Sequence, residues 1–230
     1  MFRTLNHRRL ARLAALATVV LAGAATVAFP SEAPLPDGWR TPIIAFELAR
    51  TPAELTWLAG PEAADIRSAM RWGHRVDTLF PLAYGALLVL SCRAASGRLA
   101  AVAAGLAGLA IPLDWLENAA LGGITDALEA GGDGSPGLAW LVPLTWGKWG
   151  AIGGALVLLC LAIWREEPRT ALLLAPLACS VPVAAGTPVT AAGETMALAV
   201  SLSFGVLILR SLWLGVAEPV STGPPPGAAG

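Results

Sequence analysis

Ile111-Pro112-Leu113-Asp114-Trp115-Leu116-Glu117-Asn118 places two carboxylates and a carboxamide at the end of a run that is otherwise apolar from Leu99 onward. On a helix Asp114, Glu117 and Asn118 are related by steps of three and four residues, so they share one side while Trp115 and Leu116 point elsewhere. One face of this helix is polar where lipid demands the opposite. The stretch therefore predicts an all-α polytopic transmembrane bundle with a polar centre.

Composition agrees with that reading. The 230 residues are 56% hydrophobic and 13% charged, with a mean hydropathy of +0.66, too little polar material to cover a soluble globule. A crossing needs about 20 mainly apolar residues. Such stretches recur near residues 10–29, 77–92, 99–121, 138–164, 170–187 and 194–216. These make about six expected spans, four of them a core and two added at the C-terminal side. The fifth is short and interrupted by Pro176 and Pro182. The expected organisation is one transmembrane domain over residues 1–216, an external helical segment at 31–76 within it, and a disordered cytoplasmic tail at 217–230.

The net charge of −1 and the lack of a basic stripe give no sign of a nucleic-acid partner. Arg3, Arg8, Arg9 and Arg12 precede the first span, Arg93 and Arg98 follow the second, and Arg165 and Arg169 follow the fourth. Asp126, Glu129 and Asp133 lie in the opposite loop without Lys or Arg. This asymmetry predicts cytoplasmic N- and C-termini. The first span is read as an uncleaved anchor, with a signal peptide cut after Ala25 or Ala28 as the alternative. Cys92, Cys160 and Cys179 have spacings of neither a zinc clip nor a redox pair and are read as packing residues. No metal or cofactor is expected.

In the external segment, Thr41-Pro42 and Thr51-Pro52-Ala53-Glu54 look like helix starts, and Gly60-Pro61 ends one short helix and opens another. Helices this short are expected to lie on the membrane surface or to cap the bundle. Residues 122–137 read as a Gly- and Ala-rich external loop turning at Asp133-Gly134.

Chemistry concentrates in spans two to four. Asp77, Phe80 and Tyr84 share a face, with Asp77 equally readable as a helix cap at the water boundary. Lys148, the only lysine, lies about ten residues, or about 15 Å, inside its helix end. A charge at such depth costs roughly 2.5–3.5 kcal/mol, so it must be paired and face protein or water. Thr145 and Trp149 share its side, and Gly147, Gly150, Ala151 and Gly154 form a small-residue strip for a neighbouring helix. Glu194 starts the sixth span, and Arg210 is accounted for by snorkelling.

Phe46-Glu47-Leu48-Ala49, Asp77-x-x-Phe80-x-x-x-Tyr84, Asp114-x-x-Glu117-Asn118 and the following Lys148 together resemble a widespread family of small bacterial integral membrane proteins without an assigned activity. The resemblance covers roughly residues 40–160. It implies a four-helix bundle with Glu47, Asp77, Tyr84, Asp114, Glu117, Asn118 and Lys148 at the shared polar sites. The two apolar spans after residue 169 and the Trp and Gly flanking the lysine depart from the pattern.

Antiparallel connections would bring Asp77, Asp114, Glu117 and Lys148 together in a cavity open to the periplasm. One lysine cannot neutralise three carboxylates, so protons, a cation or Arg71 and Arg75 must supply the balance. The preferred function is binding or transport of a small cationic or amphiphilic, lipid-like ligand, with membrane lipid as the surrounding partner. The alternatives are a membrane-embedded enzyme acting on a lipid or isoprenoid through a carboxylate acid/base, and a purely structural buried ion pair.

Overall fold

The computed structural model describes residues 2–185 and 190–214, so the expected tail at 217–230 lies outside the described residues. Its helices are α1 (Phe2–Ala28), α2 (Pro42–Glu47), α3 (Ala64–Asp77), α4 (Phe80–Arg93), α5 (Gly97–Glu129), α6 (Ser135–Ile163), α7 (Pro168–Ala185) and α8 (Thr190–Leu209). Two 3-10 turns, Pro52–Leu58 and Pro61–Ala63, join α2 to α3. No strand occurs among the described residues. Among the described residues five stretches are long and apolar enough to cross a membrane: Asn6–Ala28, Pro61–Arg93, Gly97–Glu129, Ser135–Ile163 and Ala192–Leu212. The fifth expected span, α7, is helical but is not among them, whereas the sixth falls on α8 and is.

Consecutive long helices pack antiparallel, α4 on α5, α5 on α6, α6 on α7 and α7 on α8, with α1 closing the bundle against α3 and α4. The α5/α6 seam shows how the sequence sets this register. Branched side chains of α5 fill positions where α6 has no side chain: Leu106 lies over Gly154, Leu113 over Gly147 and Ile124 over Gly137. Gly150 faces open space instead, so the expected strip loses that member and the contact runs along Gly147, Ala151 and Gly154. Leu10, Leu13, Leu16, Val20, Val102, Leu109, Leu172 and Leu198 remain exposed, as a lipid-facing surface requires.

Two apolar cores result. The larger, with Leu87, Leu88, Ala103, Ala107, Ile152, Leu156 and Leu159, fills the span interior. The smaller joins Phe46 of α2, Leu55, Trp57 and Leu58 of the first 3-10 turn, Met70 of α3, Leu121, Ile124 and Leu128 of α5, and Leu138 and Leu141 of α6. This second core explains a departure from the sequence reading. Residues 122–129 continue α5 rather than forming a loop, because Leu121, Ile124 and Leu128 are buried in it and Arg71 of α3 pairs with Asp126 at 2.9 Å and with Glu129. The loop contracts to the turn around Gly131 and Gly134, both at positive φ, where Asp133 accepts from Ser135 N and Oγ and so caps α6. Of the two expected placements for the short external helices, capping the bundle is the one observed.

At the far end, Arg210 is no snorkelling residue. It is buried and donates to Glu167 through Nε at 2.8 Å and Nη2 at 2.6 Å, fastening the end of α8 to the start of α7. The termini of α1, α4, α5, α6 and α7 that carry Arg8, Arg9, Arg12, Arg93, Arg98, Arg165 and Arg169 share this end of the bundle.

Candidate functional site

Between the two cores runs a polar layer. On α5 it occupies the turns between Ala110 of the larger core and Leu121 of the smaller, and on α6 the turns between Ile152 and Leu141. Spacing on α5 aims Asp114, Glu117 and Asn118 into it, and Lys148 and Thr145 face them from α6. α4 contributes Tyr84. Only 14 residues long, α4 rises about 21 Å, so the last turn of α3, with Asp77 and His74, continues the crossing. The two helices are separated only by Thr78 and Leu79, and Trp115 Nε1 donates to the Thr78 carbonyl at 2.9 Å where the backbone ladder is interrupted.

The charged half of the layer centres on Lys148. Its side chain is 6% exposed, and its ammonium donates to Glu47 Oε2 at 3.0 Å and to Glu117 Oε2. The ammonium also lies 5.0 Å from the centre of the Trp149 ring. Glu117 is fully buried, and its second oxygen, Oε1, has no hydrogen-bond partner. Thr145 Oγ1 donates to the Glu47 carbonyl at 3.1 Å, so α6 holds both ends of that residue.

The second half is built on Asp114. Tyr84 donates its hydroxyl to Asp114 Oδ2 at 2.7 Å, and Asn118 Nδ2 donates to Asp77 Oδ2 at 2.9 Å and Asp114 Oδ1 at 3.3 Å. Tyr84 packs edge-on against Phe80, and its ring meets Phe204 of α8 at 5.4 Å. α5 joins the two halves through Asp114, Glu117 and Asn118, and Lys148 itself makes no hydrogen bond to Asp77 or Asp114. Arg71 is taken up by Asp126 and Glu129 and so gives the layer no positive charge.

Glu47 reaches the lysine because α2 is pulled into the bundle. Pro42 opens that helix, as the sequence suggests, but Thr41 does not cap it in the expected way. Glu194 at the start of α8 accepts from Arg40 N at 2.9 Å, Thr41 N at 2.8 Å and Thr41 Oγ1 at 2.8 Å. Gly193 beside it leaves room for Leu48 and Trp39. Sequence reasoning gave Glu194 no role beyond starting its helix, since its partners lie some 150 positions away and no local pattern marks them.

Two further groups near the layer escaped the sequence reading. His74 is buried between Phe29, 5.3 Å from its ring centre, and Phe46 at 6.2 Å, with neither ring nitrogen hydrogen-bonded. Arg67 is buried in α3 and donates to the carbonyls of Leu58 and Gly60, both at 2.7 Å, holding the 3-10 turns over the site. α2 and those turns cover the layer at the end away from the arginines, and the groove between the end of α4 and the start of α5 lies elsewhere. Among the described residues no group of His, Cys, Asp and Glu is arranged to hold a metal ion. Comparison of the chain with family models, with curated proteins and with solved structures finds no match.

Proposed function

We propose that the polar layer is a cation-holding site, occupied by a proton or a small cationic group that enters from the outer face. In this reading the protein sits in a bacterial cytoplasmic membrane with its arginine-rich end in the cytoplasm. It is placed with the small bacterial membrane proteins whose Phe-Glu-Leu-Ala, Asp/Tyr, Asp/Glu/Asn and lysine pattern it resembles. The observation that carries the proposal is the charge balance around Lys148. One ammonium is shared by Glu47 and Glu117, the latter with a buried oxygen left over, and Asp77 and Asp114 beside them meet only neutral donors.

Buried charge of one sign is unstable without a counter-charge, so the layer favours uptake of positive charge. A proton needs no space beyond the carboxylates themselves, whereas an amphiphilic, lipid-like molecule would require α2 to move aside. Transport follows from the same site if α2 opens the outer side in exchange for contacts at another level.

Acid-minus-base infrared difference spectroscopy on the protein in lipid vesicles tests this reading. A band from protonated carboxyl is expected in the wild type and is expected to be lost when Glu47 and Glu117 are both replaced by Gln. A pH gradient should drive proton uptake into the same vesicles, and uptake should fall with the band. Wild-type vesicles with neither band nor uptake, alongside variants altered only in thermal stability, would reduce the layer to a structural fastener.

A further inference from the structure

A groove of about 460 Å3 opens between the end of α4 and the start of α5, at the arginine-rich end of the bundle and away from the polar layer. Its floor is Cys92 and Ala100, its walls include Val89, Ala104 and Gly105, and Arg93 stands exposed at its rim. No acidic side chain lines it, and Arg93 is in no ion pair among the described residues. A Cβ built at Gly105 meets no neighbour, so the inner arm is open.

The groove is amphipathic along its length. From Gly97 to Gly105 it descends eight residues of α5, about 12 Å, from the charged helix end into the apolar span. A guanidinium at the surface end matches a phosphate with its planar pair of donors, and the apolar arm below it matches the first part of an acyl chain. A free anion would engage Arg93 and leave that arm empty, and a neutral lipid would fill the arm and leave the arginine without its counter-charge.

We propose that this groove is a binding site for one anionic phospholipid, its phosphate on Arg93 and one acyl chain along Val89, Ala104 and Gly105. The site stands independently of the cation-holding layer. The full chain, stripped of lipid in neutral detergent and returned to phosphatidylglycerol and phosphatidylcholine mixtures, is to be followed by native mass spectrometry during graded delipidation. Wild type is expected to retain one phosphatidylglycerol in preference to phosphatidylcholine.

Arg93→Gln should lower that preference about fivefold. Gly105→Leu should reduce retention of both lipids by filling the apolar arm, and Ala101→Leu provides a second filling variant should the first fail to fold. Arg9→Gln, a charge lost from the same end but outside the groove, should leave retention as in wild type. The proposal is overturned by wild-type preference in Arg93→Gln, by an equal loss in Arg9→Gln, or by unchanged retention in a folded groove-filling variant. Inorganic phosphate displacing the lipid with equal efficacy would likewise overturn it, by reducing the site to an anion contact.

Discussion

Replacing Lys148 with Met keeps the length of the side chain and removes its charge, leaving Glu47 and Glu117 in a buried site without their common cation. Breaking a buried pair by removing one partner costs about 3–5 kcal/mol. Lys148→Met should therefore lower the thermal midpoint in detergent sharply, and adding Glu47→Gln and Glu117→Gln should recover much of the loss. Equal midpoints for wild type and Lys148→Met would show that the acids do not depend on the ammonium. A second residue-scale expectation concerns Glu167, outside the spans, whose carboxyl the Arg210 hydrogen bonds hold below the usual range against the opposing effect of burial. A carboxylate lowered in the folded state contributes stability above its unfolded value, about 4.3, and loses it as pH falls through the folded value. Acidification through that window should destabilise wild type more than Glu167→Gln, and parallel acid profiles would contradict it. The acids and the lysine were visible in the sequence because charge is rare in apolar runs. Which oxygen meets which donor was not, since nothing in the spacing shows that Tyr84 and Asn118 serve as hydrogen-bond partners of Asp114 and Asp77 while the ammonium goes to Glu47 and Glu117.

At the scale of elements, α2 holds a charged side chain in the layer from a helix of six residues, too short to stay helical by itself. Its position depends on contacts at both ends, Glu194 at the first and Lys148 with Thr145 at the last. Glu194→Ala removes an acceptor of three hydrogen bonds; each bond to a charged group is worth about 1.5–3 kcal/mol. Amides of residues 41–48 should then exchange with deuterium at least tenfold faster while those of α5 and α6 keep their protection. Unchanged exchange in that segment would mean that packing of Phe46 alone keeps α2 in place. The long helices were legible from apolar length. The continuation of α5 through Gly122 and Gly123 was not, because local glycine content argued for a loop and only the outer core and Arg71 override it.

For the molecule as a whole, the arginines of α1, α4, α5, α6 and α7 gather at one end, and the acidic turn at Asp133 lies at the other. In a cysteine-free background, Asp133→Cys should react with a membrane-impermeant maleimide added to intact cells, and Glu166→Cys should react only after the cells are opened. The reverse pattern would invert the proposed orientation. The gathering of arginines at one end was readable from charge placement alone, whereas the separation into two apolar cores needed the spatial meeting of α2, the 3-10 turns and α3 over α5 and α6. The Glu194 contact also dictates an order of birth. Residues 40 and 41 leave the ribosome early, yet their acceptor follows 153 positions after Thr41, so α2 cannot be locked until nearly every other helix has been synthesised. During translation Glu117 and Lys148 are both present well before Glu194, so the charged centre has its pair in hand before the latch on α2 closes with the addition of α8.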